Sequence, residues 1–313
     1  MQKVHVRQVA AALMVAGAVV LAGAARSTVD AAQASNETLV STGWVADHLG
    51  DRDLVLLHVG PETGYASAHL PGARLVSYEA LGGGMDHGPN ENMLEMPEPE
   101  RLRSALAAMG ISDGSRIVVY SGTATGVSLA TRVVLTLQYA GLGERTSLMQ
   151  GGLPTWVAEQ RPTTADVPSA TTGVLSPLKI QSLIVDGDYV QANLATPGVR
   201  IVDARAGAFY DGTRTGGDRE TPHKTGHIEG AVSVPFNSTY DAQGRFKSLD
   251  ELRALFDAAG VKPGESVIAY CHLGQQATVT MFAARLLGYD VRLYDGSFED
   301  WSRRPNAPVS IRK

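Results

Sequence analysis

The chain contains one domain-sized segment twice, and this duplication constrains the fold more than any other feature. Residues 42–164 resemble residues 180–311 in four blocks that occur in the same order in both copies. The last block, at 148–156 and again at 293–301, ends each time in a tryptophan. Short repeats mark solenoids, whereas a repeat of this length marks a duplicated domain. The sequence therefore predicts two copies of one fold.

Within each copy, short apolar segments alternate with segments of helical spacing. The helix predicted at 249–259, for example, has leucines three residues apart and ends before Gly260. Strand–helix alternation predicts an α/β fold, with a central parallel sheet flanked by helices in each domain. The predicted strands are 54–59, 116–120 and 147–149, then 201–202, 266–270 and 291–294; the predicted helices are 99–109, 249–259 and 277–287.

The N-terminal segment has the pattern of a signal peptide. Lys3 and Arg7 precede an uncharged stretch at 9–25, and small-residue cleavage signals follow. We expect a signal peptide at 1–34 and a periplasmic or secreted protein; an uncleaved anchor is the alternative. The remaining chain divides into domain 1 at 35–165, a linker rich in Thr, Ser, Pro and Ala at 166–180, and domain 2 at 181–313.

Composition excludes several classes of function. The formal net charge of −5 argues against a nucleic-acid partner, and one cysteine makes a thiolate-rich metal site impossible. We expect no cofactor, no metal and no stable membrane association after removal of the signal segment. Because one chain already supplies two domains, we also expect a monomer.

The single cysteine, Cys271, follows the apolar strand 266–270 and precedes the helix that begins near Ala277. A thiol at this position faces free backbone N–H groups and the positive end of the helix dipole, which stabilise a thiolate nucleophile. An odd cysteine in an exported protein also indicates either intermolecular pairing or a free reactive thiol. A buried and inert cysteine is the alternative interpretation.

Four motifs of the second copy resemble the tandem-domain rhodaneses, which are thiosulfate or 3-mercaptopyruvate sulfurtransferases. They are Val-Asp-Ala-Arg at 202–205, Gly-His-Ile-Glu-Gly-Ala at 226–231, Tyr-Cys at 270–271 with a six-residue loop, and Asp-Gly-Ser-Phe-Glu-Asp-Trp at 295–301. The resemblance implies that Cys271 takes sulfur from a small-molecule donor as a persulfide and passes it to cyanide or a thiol. It also implies a catalytically silent first domain, and Ser121 occupies the cysteine position there.

The resemblance further implies that the loop after the cysteine binds the donor through backbone N–H groups. The expected donor-binding residues are His272, Leu273, Gly274, Gln275 and Gln276. Thiosulfate-preferring relatives carry basic residues here and mercaptopyruvate-preferring relatives carry Gly-Ser-Gly, and this loop matches neither; we expect thiosulfate as the donor more than 3-mercaptopyruvate. His272 either supplies a partial positive charge or a hydrogen bond to an anionic donor, or it faces solvent.

A second departure concerns the family's substrate-binding arginine. Its position, four residues beyond Arg205, is occupied by Phe209. Arg214 and Arg219 follow in a Gly/Thr-rich insertion, and either could contact the donor anion; solvated loop charges are the alternative. The resemblance makes Asp203 and Arg205 a structural pair that shapes the site.

The same residues bear on three other functions. A cysteine phosphatase needs an arginine at the position of Ala277, so the chemistry for phosphate is missing. A cysteine protease needs a histidine base with an orienting partner, for which no local signature exists. A persulfide carrier or scaffold with a rhodanese fold remains open.

Overall fold

The computed structural model describes residues 38–83, 94–169, 171–217 and 222–311. The signal segment expected at 1–34 and the candidate residue Arg219 lie outside these ranges. Within them, none of the helices combines the length and apolar character needed to cross a membrane.

The first copy is built around a five-stranded parallel sheet. The strand order is β1-β5-β4-β2-β3, so the first strand lies at one edge, and helices connect the parallel strands. The strands are β1 (Leu39–Val40), β2 (Leu54–Val59), β3 (Arg74–Val76), β4 (Arg116–Ser121) and β5 (Thr146–Met149). The helices are α1 (Thr42–His48), α2 (Glu62–Ser67), α3 (Pro99–Ala108), α4 (Val127–Tyr139) and α5 (Gly152–Ala158).

The second copy repeats this arrangement strand for strand. Its parallel sheet has the order β6-β11-β10-β7-β9, and β8 and β12 form a small antiparallel pair. The strands are β6 (Ile184–Val185), β7 (Val199–Asp203), β8 (His227–Ile228), β9 (Val232–Ser233), β10 (Ser266–Tyr270), β11 (Asp290–Tyr294) and β12 (Val309–Ser310). The helices are α6 (Gly187–Ala192), α7 (Gly207–Tyr210), α8 (Leu249–Ala258), α9 (Ala277–Leu286) and α10 (Ser297–Arg303).

The central strands are apolar on both faces because helices cover both sides of each sheet. In β4 and β10, every residue after the first is buried, the pattern expected of an interior parallel strand. The predicted α/β fold with parallel sheets is confirmed. The strands at 54–59 and 266–270 have the predicted bounds, and the helices predicted at 99–109, 249–259 and 277–287 each end one residue earlier. The division at 166–180 stays a prediction.

The two copies pack against each other through α4 and α9, whose apolar residues belong to one continuous core. Few side chains of α4 are exposed, because one face covers its own sheet and another meets α9. Polar contacts cross this interface as well: the hydroxyl groups of Thr131 and Thr278 are 2.7 Å apart and buried. The described residues of the two copies therefore form one compact unit rather than two loosely tethered ones.

Candidate active site

Cys271 lies at the carboxyl end of β10, the central strand of the second sheet, and its side chain is buried. Its backbone N–H donates to Ser297 Oγ at 3.2 Å, and its carbonyl oxygen accepts from Phe298 N at 3.0 Å. Ser297 adopts a left-handed φ of 52° and its hydroxyl donates to the Tyr294 carbonyl. The segment that follows β11 therefore fixes the backbone of the cysteine from one side.

The loop from His272 to Gln276 presents backbone N–H groups that the protein does not use. Among the residues that the structure describes, no acceptor bonds any of these five N–H groups. The loop then enters α9, whose first residue is Ala277. Convergent N–H groups at a helix N-terminus stabilise negative charge on sulfur, as they do on oxygen in an oxyanion hole.

Gly274 gives this loop its sharp turn. Its φ is +82°, a left-handed conformation that favours glycine. A Cβ atom at this position would lie 2.8 Å from the Asp295 carbonyl oxygen and 2.9 Å from Asp295 Oδ1. The turn is therefore pressed against the residue that follows β11.

The first copy contacts the outer side of the active loop. Arg132, on α4, donates through Nη1 to the Gly274 carbonyl at 3.3 Å and to Asp295 Oδ1 at 2.6 Å. The side-chain amide of Gln275 donates to Ser128 Oγ at 3.0 Å, also on α4. Two of the expected donor-binding residues thus make contacts across the interface between the copies.

Asp203 and Arg205 form a buried ion pair beside the loop. Arg205 Nη2 is 2.6 Å from Asp203 Oδ2, and Tyr270 donates its hydroxyl to the same oxygen at 2.6 Å. Burial and the nearby Asp203 raise the pKa of Tyr270 well above its usual value. The Arg205 guanidinium also lies 3.9 Å from the ring centroid of Phe298, the residue that donates to the Cys271 carbonyl. These groups tie the strand ends of β7 and β10 together.

His272 packs edge to face on Phe209, with ring centroids 4.5 Å apart. The central carbon of the Arg214 guanidinium lies 4.9 Å from the centroid of the same Phe209 ring. Burial and then the positive charge of Arg205 lower the pKa of His272 to about 4. His272 is therefore neutral at pH 7. Arg214 of the insertion is a permanent cation, and it contacts the Phe209 ring next to the loop.

The corresponding loop of the first copy is closed by its own hydrogen bonds. Ser121 Oγ accepts from Thr123 N at 3.2 Å and donates to the Thr123 carbonyl at 2.6 Å. The N–H groups of Gly122 and Gly126 bond to the carbonyls of Val59 and Thr123. His58 stands where the second copy has Asp203, and it contacts Tyr120 OH at 3.1 Å. This loop has no thiol, and its N–H groups at Gly122, Thr123 and Gly126 are already bonded within the first copy.

The structure brings most of the predicted residues together and adds others. The loop 271–276, Asp203, Arg205 and Arg214 share one region, whereas Arg219 lies outside the described residues. Sequence reasoning missed Ser128, Arg132 and Ser297. Arg132 carries a signal that could have revealed it, since it is the only charged residue in the helix Val127–Tyr139.

Comparison with known proteins identifies the family. The Rhodanese-like domain family matches this chain twice, over residues 41–159 and 186–304, so the chain belongs to the rhodanese family. It is 33% identical to the thiosulfate sulfurtransferase of Rattus norvegicus over 288 residues, which cover 88% of this chain and 94% of the relative. It is 29% identical to the sulfur carrier protein TtuD of Thermus thermophilus, with 88% and 96% covered.

A solved structure shares the fold. The anaerobic ergothioneine biosynthesis enzyme of Chlorobium limicola superposes with a TM-score of 0.76 at 23% identity, covering 88% of this chain and 71% of that one. The fold described above is thus shared with that enzyme.

Proposed function

We propose that this rhodanese is a sulfurtransferase that moves the sulfane sulfur of thiosulfate to a thiophilic acceptor through a Cys271 persulfide. The thiolate attacks the outer sulfur of thiosulfate, a new S–S bond forms, and sulfite leaves with the electron pair of the broken S–S bond. Cyanide or a low-molecular-weight thiol then attacks the outer sulfur of the persulfide, and the Cys271 thiolate leaves. This is covalent catalysis with ping-pong kinetics.

The observation that carries this proposal is the set of unbonded N–H groups from His272 to Gln276 around the only cysteine. Their dipoles favour the thiolate, the anionic donor and the terminal sulfur of the persulfide, which all bear negative charge at one place. Because the side chains of this loop are neutral, its N–H groups are what it offers to a small anion. Thiosulfate is such an anion, and 3-mercaptopyruvate remains the alternative donor.

The intact mass of the protein tests the proposal. Incubation with thiosulfate is expected to add the mass of one sulfur atom, and cyanide is expected to remove it with formation of thiocyanate. Cys271→Ser is the matched control, because it changes one atom at the site, and it should gain no mass. A wild-type protein that gains no sulfur from thiosulfate or 3-mercaptopyruvate contradicts the proposal.

We propose Arg214 as the residue that binds the donor anion in place of the arginine missing at Phe209. Its guanidinium lies over the Phe209 ring, and Phe209 contacts His272 of the active loop. A charge-assisted hydrogen bond contributes about 1.5–3 kcal/mol. Arg214→Gln should therefore raise the KM for thiosulfate by about tenfold or more, with little change in kcat.

Arg253→Gln is the control for Arg214, because it removes the same charge from an exposed position on α8. It should leave the KM unchanged. Arg219→Gln, measured in parallel, tests the second arginine of the insertion. If only Arg219→Gln raises the KM, the assignment to Arg214 is wrong.

A persulfide carrier is the second candidate, because one relative of similar coverage is named a sulfur carrier protein. A carrier forms the Cys271 persulfide but transfers it slowly to cyanide and small thiols. Steady-state turnover measured beside the mass experiment separates the two functions, since only an enzyme turns over many times per Cys271.

We also propose that the protein is exported as a monomer. The signal-like pattern at 1–34 supports export, and the duplicated chain supplies both domains by itself. N-terminal sequencing of protein from the periplasmic fraction should begin after residue 24 or 34, and light scattering should give the mass of one chain.

A further inference from the structure

We propose that Arg132 is a positioning residue for the active loop: the silent first copy supplies the charge that orients and balances the loop of the second. This proposal deepens the function proposed above, and its consequence for the rate of persulfide formation rests on that function. Arg132 lies on α4, which contains no catalytic group, and it is remote from Cys271 in the sequence.

Arg132 is almost wholly enclosed, with 2% of its side chain exposed. Nη1 bonds Asp295 Oδ1 and the Gly274 carbonyl, while Nη2 donates to Tyr78 OH at 2.9 Å and to the Leu94 carbonyl. The second oxygen of Asp295 accepts from Met96 N at 3.0 Å. A buried ion pair is stabilising only when its remaining hydrogen-bonding capacity is largely satisfied. Both partners make several further bonds here, and Nε of Arg132 is the one guanidinium nitrogen without an acceptor among the described residues.

The duplication provides an internal comparison for this cluster. By the repeat, Arg132 corresponds to Phe282 and Asp295 corresponds to Gln150. The corresponding positions are uncharged: Phe282, on α9 of the second copy, packs on Phe246 with ring centroids 4.9 Å apart, and Gln150, in the first copy, exchanges two hydrogen bonds with the Phe246 backbone. The charged pair thus occurs beside the loop that contains a thiol and is replaced by neutral groups beside the loop that does not.

The contact with Gly274 gives Arg132 a direct effect on the loop. A peptide unit is planar and trans, so its C=O and the following N–H point in opposite directions. Because the Gly274 carbonyl points at Arg132, the N–H of Gln275 points away from α4. That N–H belongs to the set without an acceptor among the described residues. Arg132 therefore holds one of the donors that the active loop offers to sulfur.

The pair also balances charge near the thiolate. Without the guanidinium, the Asp295 carboxylate remains buried against the loop and repels an anion. When Asp295 is replaced by a neutral residue, the Arg132 guanidinium remains and attracts an anion at the loop. The two single variants of the pair therefore change the local field in opposite directions, whereas simple loosening of the loop has the same effect in both.

The test uses the full chain and its single cysteine, so alkylation by iodoacetamide reports Cys271 alone. Arg132→Gln should shift the pH midpoint of the alkylation rate upward by about one unit, and Asp295→Asn should shift it downward. In single-turnover reaction with thiosulfate, Arg132→Gln should form the persulfide at least about tenfold more slowly at pH 7, and Arg132→Lys, which keeps the charge, should restore the wild-type midpoint.

Phe282→Leu is the matched control, because it changes the corresponding position of the same interface. It should lower the stability of the protein and leave the alkylation midpoint and the persulfide rate unchanged. Midpoints that move in the same direction in Arg132→Gln and Asp295→Asn, or that do not move, overturn the proposal. If the wild-type protein forms no persulfide, the proposed function fails, while the alkylation midpoints still decide the role of Arg132.

Discussion

Gly274 is the single residue at which the active loop has least tolerance for change. Its left-handed φ of +82° costs an L side chain roughly 1–2 kcal/mol, and a Cβ there would come within 3 Å of two oxygens of Asp295. The backbone oxygen of Asp295 has little freedom to move, because Asp295 directly follows β11, which is paired with a strand on each side. A side chain at this position must therefore displace the loop.

Gly274→Ala is expected to reduce the rate of persulfide formation by at least about tenfold, because the N–H groups on either side of the turn would leave their positions. Gly264→Ala is a matched control: its φ is +84°, yet a Cβ there would meet no atom within 4 Å. Both variants carry the cost of a left-handed alanine, so unfolding by urea measures that shared cost. Equal persulfide rates in the two variants would contradict the role given to the Gly274 turn.

At the scale of elements, the loops that follow β4 and β10 differ in more than the presence of a thiol. Replacement of the thiol is not the only difference, because the loop after Ser121 also bonds its own N–H groups to Val59 and Thr123. The supporting pair is missing as well, since His58 and Gly60 stand where the second copy has Asp203 and Arg205. With three of its five N–H groups bonded, at Gly122, Thr123 and Gly126, this loop offers fewer hydrogen-bond donors to an anion than the loop after Cys271 does.

The double variant Cys271→Ser, Ser121→Cys tests this difference between the loops. It places the only thiol of the protein at the end of β4 and should gain no sulfur from thiosulfate, although iodoacetamide under denaturing conditions should still label it. The wild-type protein and Cys271→Ser give the upper and lower limits of the mass assay. Persulfide formation at position 121 would show that the thiol alone distinguishes the copies.

Much of this arrangement could be predicted from the sequence, because apolar segments and helix ends are local signals. The strands at 54–59 and 266–270 were located by their runs of β-branched and apolar residues. His69 and His227 occupy equivalent positions in the two copies, and each ring stacks on a tyrosine, Tyr65 and Tyr210, with centroids 3.9 and 3.8 Å apart.

The contacts between the copies could not be predicted in the same way. Whether Arg132 meets Asp295 depends on how α4 packs on α9, and no periodicity encodes the relative placement of two domains. The same limit applies to Gln275, which was expected to bind the donor and whose amide contacts Ser128. Its role in donor binding stays a prediction.

On the scale of the whole molecule, the shared core joins the stability of the two copies. Apolar residues of α4 and α9 belong to one cluster, and Arg285 of α9 bonds Gln138 of α4 at 2.6 Å. Loss of either copy would expose this face, so we expect both to unfold in one cooperative transition. A change in the first copy should consequently affect the thiol in the second.

Lowering the pH destabilises the first copy through His58, a buried histidine with 1% of its surface exposed. Burial and then His69 lower the pKa of His58 from 6.5 to about 4. The unfolded chain therefore binds a proton that the folded chain excludes, and stability falls as the pH decreases from about 6.5 to about 4. Since one pKa unit corresponds to about 1.4 kcal/mol, His58 alone should reduce the free energy of unfolding by about 2–3 kcal/mol between pH 7 and pH 4.5.

His58→Gln should remove this part of the acid sensitivity, whatever its effect on stability at pH 7, because glutamine does not titrate. The measurement is urea unfolding at pH 7 and pH 4.5, followed by tryptophan fluorescence and by the accessibility of Cys271 to iodoacetamide. His272, whose pKa is lowered in the same direction, contributes acid sensitivity that remains in the variant. If the copies are one cooperative unit, both probes shift together although His58 and Cys271 belong to different sheets; a shift in fluorescence alone would mean that the first copy unfolds by itself.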